Sequence, residues 1–304
     1  QGVVDLVLPG TVEHEGRLSI PQAGGPDEFH VVCDDSAYIL NFAAYNLRLA
    51  DRAATHLREK APGKLAAILK RSGATKKELA DFPEAATRLR TMRDDTGLFE
   101  ECRGFFKLRD TGREPGPAPQ DTQCVKQADV LIMLVLLRDQ WPTAVWRVNW
   151  DYYEPRTVHA SSLSQGVHGI IALELGLRDT ADAYIRKALG MDLNDEMNNT
   201  ELGAHMAANG MNWIAVVQAY GGTRPQGDRI VVDPHLPADW SLLSFGLQWR
   251  GADFTVTIQR DSILVRNLPS ATAPLPLHAG GKDHVVKPGE SLDVSGEAEA
   301  LRVE

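Results

Sequence analysis

The spacing of apolar residues changes at Gly221-Gly222, and this change constrains the fold more than any other feature of the chain. Before the two glycines, apolar residues recur at three- and four-residue intervals, which is the period of amphipathic helices. After them, segments such as "RIVVDP" and "DFTVTIQ" alternate apolar and polar residues between turn residues, which is typical of strands. The sequence therefore predicts a mainly α chain with a C-terminal β domain, divided into domains of residues 1–222 and 223–304.

Several segments of the first domain have helical periodicity, and most are joined by short loops that favour antiparallel pairs. The predicted helices cover residues 36–58, 75–91, 126–140, 165–177, 180–189 and 203–220, with a surface loop at 111–121. The predicted strands after residue 223 favour a small antiparallel β-sandwich.

Composition and charge exclude several classes of partner. The chain has 304 residues and a formal net charge of −9, so no basic field attracts nucleic acid. The longest apolar run, Val130 to Leu137, is too short to cross a bilayer. Cys33, Cys102 and Cys124 form no CxxC pair, and no two histidines have metal-ligand spacing. We therefore predict a cytoplasmic protein with no metal, cofactor, membrane or nucleic-acid partner.

Two stretches place polar groups before predicted helices. In "GGPDEFH", Asp27 and Glu28 stand side by side, and a neighbouring carboxylate or partial burial can keep an acid protonated near neutral pH. An acidic helix N-cap is the alternative. In "VKQADV", Lys126 and Gln127 offer the donors and acceptor that neighbouring sugar hydroxyls need, although a solvent-facing helix start also fits them.

Two further stretches combine groups that bind anions. "YYEPRTVHASSLSQGVHG" places His159, Ser161 and Ser162 just before a predicted helix, where hydroxyls and backbone N–H groups can hold an anion. "NNTELGAHMAANG" places His205 near the start of another helix, where it can donate to a phosphate oxygen. A serine N-cap and a structural histidine are the alternatives. No GxSxG surrounds the serines, which disfavours a serine hydrolase.

Taken in this order, the four stretches resemble the C-terminal part of glycoside hydrolase family 65, the family of maltose, trehalose, kojibiose and nigerose phosphorylases. The resemblance rests on "GPDEFH", "VKQADV", "YYEPRTVHASSLS", the T-x-x-G-x-H pattern from Thr200 to His205, and Gly221-Gly222. It implies part of an (α/α)6 barrel followed by a β-sandwich. It also implies inverting phosphorolysis of an α-glucoside to β-glucose 1-phosphate and a free acceptor.

The resemblance also implies roles for individual residues. Glu28 matches the general acid, with Asp27 beside it at the substrate, and Lys126 and Gln127 match the pair that holds the glucosyl hydroxyls. The phosphate-binding region matches Ser161, Ser162 and His205, to which we add His159 from the same stretch. Inorganic phosphate is then a co-substrate, and no cofactor is expected.

The chain departs from the family after Glu28, where "VVCDDSAYILN" replaces asparagine-rich text, so acceptor and linkage stay open. The family's N-terminal β-sandwich and first barrel half have no counterpart here, and we expect a second chain or fragment to supply them. A homo-oligomer is also open. Two alternative functions remain: an inverting α-glucosidase that uses water, with Glu154 or Glu201 near enough in sequence to be its base, and a non-catalytic carbohydrate-binding subunit.

Overall fold

The structure is a computed structural model, and it describes residues 10–294 of the chain. The chain divides into two compact units, residues 1–161 and 162–304, and each is described by itself. The predicted domains, 1–222 and 223–304, follow the change of periodicity rather than this division, and they stay a prediction.

The first unit begins with a short hairpin of β1 (Val12–His14) and β2 (Arg17–Ser19). The α-helices described after it are α1 (Ala37–Lys60), α2 (Pro62–Ser72), α3 (Lys76–Arg88), α4 (Asp129–Leu136) and α5 (Thr143–Tyr153). The long segment between α3 and α4 is irregular apart from two short 3₁₀ turns, and it includes the predicted loop 111–121.

Helix α1 is the predicted helix 36–58, and its apolar stripe packs on α3. Leu40 and Leu47 of α1 share a buried cluster with Phe82 of α3. The Ser36 side chain caps α1 by accepting a hydrogen bond from the Ile39 N–H at 3.5 Å. The acidic residues upstream do not cap it, so the alternative reading of "GGPDEFH" as a helix N-cap is wrong.

Helix α4 is shorter than the predicted 126–140, and α5 was not predicted. Val125 pairs with the segment at residues 156–158, which leaves the chain extended until Ala128. In α5 the buried Asn149 amide donates to the carbonyls of Gly97 (2.9 Å) and Val145 (2.7 Å) and accepts from the Phe99 N–H (2.9 Å). The helix is therefore tied to the irregular segment before α4.

The second unit starts with α6 (Ser164–Glu174), α7 (Arg178–Leu189) and α8 (Met206–Trp213), which runs into a π-helical segment (Ile214–Tyr220). Helices were predicted over 165–177, 180–189 and 203–220, and all three are present. Helix α6 packs closely on α7, since a Cβ added at Gly169 would lie 2.5 Å from Ile185 Cγ1. The last helix starts later than predicted, because His205 is its N-cap.

Two four-stranded sheets follow and confirm the predicted β-sandwich. Their strands are β3 (Thr223–Gln226), β4 (Arg229–Val232), β5 (Leu242–Trp249), β6 (Ala252–Gln259), β7 (Ser262–Asn267), β8 (Leu275–Ala279), β9 (Lys282–Val286) and β10 (Ser291–Asp293). The sheet orders are β10-β7-β6-β5 and β3-β4-β8-β9. Phe254, Val256 and Leu277 are buried in the shared core. One pair departs from the antiparallel prediction, because β4 and β8 run parallel.

The change from helix to strand depends on Gly222. Its φ is +56°, and a Cβ there would lie 1.7 Å from the carbonyl oxygen of Asp233. Only glycine fits, because the backbone of the segment after β4 approaches it directly. Within residues 10–294, the structure contains no helix with the length and apolar character needed to cross a membrane.

Candidate active site

The candidate general acid lies on a loop rather than at the mouth of a helix. We call residues 24–33 the acid loop. Its base is closed by a hydrogen bond from the Ala23 N–H to the Cys33 carbonyl (2.8 Å), and its ends approach so closely that a Cβ at Gly24 would meet the Val31 oxygen at 2.0 Å. Glu28 stands on this loop with 59% of its side chain exposed. It is therefore accessible to a ligand.

Lys126 contacts Glu28 directly. Its ammonium nitrogen donates to Glu28 Oε2 at 2.6 Å, and 24% of the lysine side chain is exposed. The structure thus brings together the predicted acid and one of the two predicted sugar-binding residues.

Asp27 has a different environment from its neighbour. It is 1% exposed, and one carboxylate oxygen accepts from His30 Nδ1 at 2.7 Å. The other oxygen accepts the backbone N–H groups of Lys126 (2.8 Å) and Gln127 (3.3 Å). Both oxygens are buried and occupied, so Asp27 links His30 to the backbone at residues 126–127. Its contact with substrate stays a prediction.

Gln127 is also held by protein groups. Its side-chain amide donates to the Pro26 carbonyl at 2.5 Å, and its oxygen accepts from the Ser161 hydroxyl. Gln127 therefore joins the acid loop to the first of the predicted phosphate-binding serines. With the residue only 4% exposed, its predicted contact with glucosyl hydroxyls needs a rearrangement of these bonds.

Two buried carboxyl groups, Glu101 and Asp129, complete the surroundings of the acid loop. Burial raises the pKa of Glu101 to about 7, although hydrogen bonding to His30 opposes the rise. Burial and the nearby charges of Glu101 and Asp27 raise the pKa of Asp129 well above its usual value. The sequence analysis missed both residues. An acidic pair in the apolar context "GLFEEC" and an aspartate opening the run "DVLIMLVLL" were the available signals.

Two of the three cysteines meet beside the acid loop. The Cys33 and Cys102 thiols are hydrogen-bonded to each other, which lowers the pKa of Cys33 and raises that of Cys102. Both are free thiols, and so is the buried Cys124.

The predicted anion site is divided between the two units. In the first unit, His159 is half-buried in a left-handed conformation (φ 57°), two residues before Ser161. Nearby, the Arg156 guanidinium lies 4.1 Å from the centre of the Tyr152 ring and is paired with Asp110 at 2.5 Å.

Ser162 and His205 belong to the second unit. Ser162 is half-buried in the turn before α6. The Asp192 carboxylate accepts from the His205 N–H at 3.0 Å and from its Nδ1 at 2.5 Å, which orients the ring at the start of α8. The meeting of these residues with His159 and Ser161 stays a prediction.

The carboxylates considered for a hydrolytic base have other surroundings. Glu154 accepts a hydrogen bond from the Arg113 guanidinium. Glu201 is exposed on a 3₁₀ turn of the second unit, at Thr200–Leu202.

A mainly helical region that carries this exposed, lysine-paired carboxylate precedes the β-sandwich in the sequence. Residues 9–214 match the glycosyl hydrolase family 65 central catalytic domain, and residues 223–286 match the C-terminal domain of the same family. The chain therefore belongs to glycosyl hydrolase family 65, as the sequence motifs predicted.

Curated relatives of the chain are disaccharide and glucoside phosphorylases. It is 31% identical over 274 residues to a kojibiose phosphorylase of Caldanaerobacter subterraneus subsp. tengcongensis, which covers 84% of this chain and 35% of the relative. It is 29% identical over 299 residues to an α,α-trehalose phosphorylase of Geobacillus stearothermophilus, covering 93% of this chain and 38% of that protein. The chain thus spans little more than a third of the length of these relatives.

A solved structure supports the same fold. A putative kojibiose phosphorylase from the human microbiome superposes with a TM-score of 0.82 at 27% identity, covering 97% of this chain and 43% of that one. The predicted fold class, mainly helical with a C-terminal β-sandwich, is confirmed.

Proposed function

We propose that this chain carries the acid half of an inverting phosphorylase that splits an α-glucoside with phosphate. Glu28 donates a proton to the glycosidic oxygen while a phosphate oxygen attacks the anomeric carbon from the opposite face. The bond from that carbon to the acceptor breaks, and the acceptor leaves as an alcohol. The products are β-glucose 1-phosphate and the free acceptor.

The observation that carries this proposal is the 2.6 Å contact between Lys126 Nζ and the exposed Glu28 carboxylate, on a loop anchored by a buried network. The general acid of a glycoside-cleaving enzyme must be accessible to a substrate that arrives from solvent, and it must also be held in a fixed position. Glu28 meets both conditions. The relatives' names supply the reaction class, since kojibiose, trehalose and glucosylglycerol phosphorylases all match along most of the chain.

The ion pair must separate during the reaction. In the structure Glu28 is ion-paired with the Lys126 ammonium at 2.6 Å, whereas a general acid must carry a proton when it acts. Sugar hydroxyls that accept hydrogen bonds from Lys126 would draw the lysine from Glu28 and leave the carboxyl free to take up a proton. Binding of the glucosyl unit then prepares the acid.

We favour phosphate over water as the nucleophile. An inverting hydrolase needs a second carboxylate to activate water. Glu154, the candidate in the first unit, is instead held by Arg113, while the segment around Ser161 offers hydroxyl and imidazole groups suited to an anion. Hydrolysis remains the second candidate.

The test incubates the native protein with kojibiose, trehalose, maltose, nigerose and glucosylglycerol, with and without phosphate, and follows products by ¹H NMR. We expect phosphate-dependent β-glucose 1-phosphate from one or a few of these substrates. Glucose release that does not depend on phosphate would replace the proposal with hydrolysis. The initial anomer must be β, because inversion fixes it.

Variants of single carboxylates separate an enzyme from a binding subunit. Glu28→Gln should lower turnover by at least 10³-fold, because it removes the only proton that the mechanism transfers to the leaving group. Glu114→Gln, at an exposed carboxylate in the predicted loop, is the matched control and should leave turnover unchanged. If both variants bind glucosides equally well and neither variant turns a glucoside over, the chain is a binding subunit.

Further parts of the protein enter the proposal through the comparison of lengths. Because the chain matches 35–38% of the phosphorylases' length, we propose that additional polypeptide, on the same or a second chain, completes the catalytic barrel. A cytoplasmic location and a homo-oligomer stay predictions.

A further inference from the structure

The imidazole ring of His30 is buried with an acceptor at each nitrogen. Nδ1 lies 2.7 Å from Asp27 Oδ2 and 3.2 Å from Glu101 Oε1, and Nε2 lies 3.0 Å from the carbonyl oxygen of Thr122. A carbonyl oxygen and an ionised carboxylate oxygen accept hydrogen bonds but donate none. Nε2 therefore carries a hydrogen, and an ionised carboxylate at Nδ1 requires a second hydrogen there, which makes the ring a cation.

The charges around His30 support the same protonation state. Burial alone would lower the pKa of His30, but the hydrogen bonds and charges of Asp27 and Glu101 outweigh it and raise the pKa to about 10. The other titratable groups that interact electrostatically with Asp27, His30 or Glu101 are Asp129, the thiols of Cys33, Cys102 and Cys124, and the hydroxyls of Tyr152 and Tyr153. The Phe105 ring stands edge-on to the imidazole at 5.2 Å between centroids. Among residues 10–294, none of the groups described around the ring is a second cation.

The same three side chains, Asp27, His30 and Glu101, have the residue types of a metal site. Two ligand atoms held about 2.1 Å from one ion at a tetrahedral angle lie roughly 3.4 Å apart. The 2.7 Å between His30 Nδ1 and Asp27 Oδ2 is instead the length of a charge-assisted hydrogen bond. The spacing thus favours a shared proton over a shared metal ion.

Asp27 links the His30 ring to the segment that carries Lys126. Its second oxygen holds the backbone N–H groups of Lys126 and Gln127, and Lys126 Nζ in turn holds Glu28. Without the imidazolium, the buried carboxyls of Asp27 and Glu101 would face each other with no compensating charge. Asp27 would then have to take a proton or move, and the segment it holds would move with it.

We propose that His30 is a positioning residue whose permanent positive charge fixes Asp27, and through Asp27 sets the relative positions of Lys126 and Glu28. The functional part of this proposal rests on Glu28 as the acid. The charge state of His30 and the coupling to Asp27 can be measured without any assay of turnover.

The first experiment measures the charge state. Long-range ¹H–¹⁵N correlation spectra of the native protein, assigned by the signal that disappears in His30→Asn, should show both His30 nitrogens protonated at pH 8. The ring should titrate only above about pH 9. Titration near 6.5, a neutral tautomer at pH 8, or one tightly bound metal ion per chain by elemental analysis would overturn the proposal.

The second experiment measures the coupling between His30 and Asp27. His30→Asn leaves a buried carboxylate unpaired, so its midpoint in urea should fall. Asp27→Asn in the same chain removes that charge and keeps an oxygen that accepts from Lys126 and Gln127. The double variant should therefore unfold at a higher urea concentration than His30→Asn alone. Equal or additive losses would overturn the proposed link.

The third experiment measures the effect on the reaction. We expect His30→Asn to lower kcat by about 10²-fold, since a displacement of about 1 Å at a reacting group has an effect of that size. The KM for the glucoside should rise as well, because Lys126 shifts. If His30 positions Asp27, the double variant should recover part of the lost kcat. If the role of His30 is purely structural, the double variant should recover stability but not kcat.

A matched control comes from the second unit. His278 pairs with Asp283 at 2.6 Å, and the two side chains are 32% and 67% exposed, so His278→Asn removes a similar contact near solvent and should change neither stability nor kcat appreciably. If Glu28→Gln keeps full activity while His30 still titrates above pH 9, the proposed function fails and the charge assignment stands.

Discussion

Gly25 gives the sharpest prediction about how the acid loop is built. A Cβ added there would lie 1.8 Å from Asp129 Oδ2, 2.7 Å from its Cγ and 3.2 Å from the Ser36 hydroxyl oxygen. Asp129 is 2% exposed and cannot swing into solvent, so either the carboxyl or the loop must move. Overpacking of this kind costs about 1–3 kcal/mol. We expect the destabilisation by Gly25→Ala to lie near the upper end of this range and to lower Tm by roughly 6–10 °C.

The assay is urea unfolding followed by circular dichroism, with hydrogen exchange of the acid loop as a local measure. Gly63→Ala is the control within the same unit, since a Cβ there meets nothing within 4 Å and lies in α2. It should raise stability by about 0.5 kcal/mol, because alanine has less freedom to lose than glycine.

A double variant identifies the clash itself. Asp129→Ala removes the atoms that the new Cβ would meet, so adding Gly25→Ala to it should cost little more than Asp129→Ala alone. If the two losses add, or if Gly25→Ala is as stable as the unchanged chain, the close approach of Gly25 to Asp129 is not the reason for glycine at this position.

Three further predictions concern other contacts. Raising the pH through about 10 should lower the free energy of unfolding of the unchanged chain more than that of His30→Asn. The pKa of His30 is raised from 6.5 to about 10 on folding, so its stabilisation is complete below pH 6.5 and lost as the pH passes 10. Asn149→Ala should cost about 2–4 kcal/mol in urea unfolding, because it removes three buried hydrogen bonds; a loss below 1 kcal/mol would contradict this. Ser161→Ala should cost about 1 kcal/mol by removing the donor to Gln127, and should raise the KM for phosphate more than that for the glucoside; an unchanged phosphate KM would remove Ser161 from the anion site.

The periodicity of apolar residues was sufficient to predict those helices and strands that bury a single face. The stripe of α1 and the alternation of β6 each follow from a single buried face. Helix α5 was missed because "TAVWRVNWDYY" is rich in β-branched and aromatic residues, which are weak helix formers. Its helix depends on contacts such as those of Asn149, which no local pattern contains. The proline of strand β8, in "LPLHA", weakens the strand pattern there.

The candidate site was predictable only where a motif names the residue. The family resemblance pointed to Glu28 and Lys126, and the structure places them in contact. The burial of Asp27 was not predictable, since "GGPDEFH" presents two equivalent carboxylates and nothing local distinguishes them. Their difference arises from partners far along the chain, Glu101 and the backbone at 126–127.

That separation has a consequence for how the chain folds. Asp27 accepts a hydrogen bond from a residue 99 positions later, so the acid loop cannot reach its final arrangement until a loop of that length has closed. Closing a loop of this length is slower than forming a helix. The chain loses conformational entropy on closure before any contact compensates for the loss. During synthesis, the acid loop therefore stays exposed to solvent until residues 126–127 have left the ribosome. We expect the arrangement around Glu28 to be among the last features of the first unit to form.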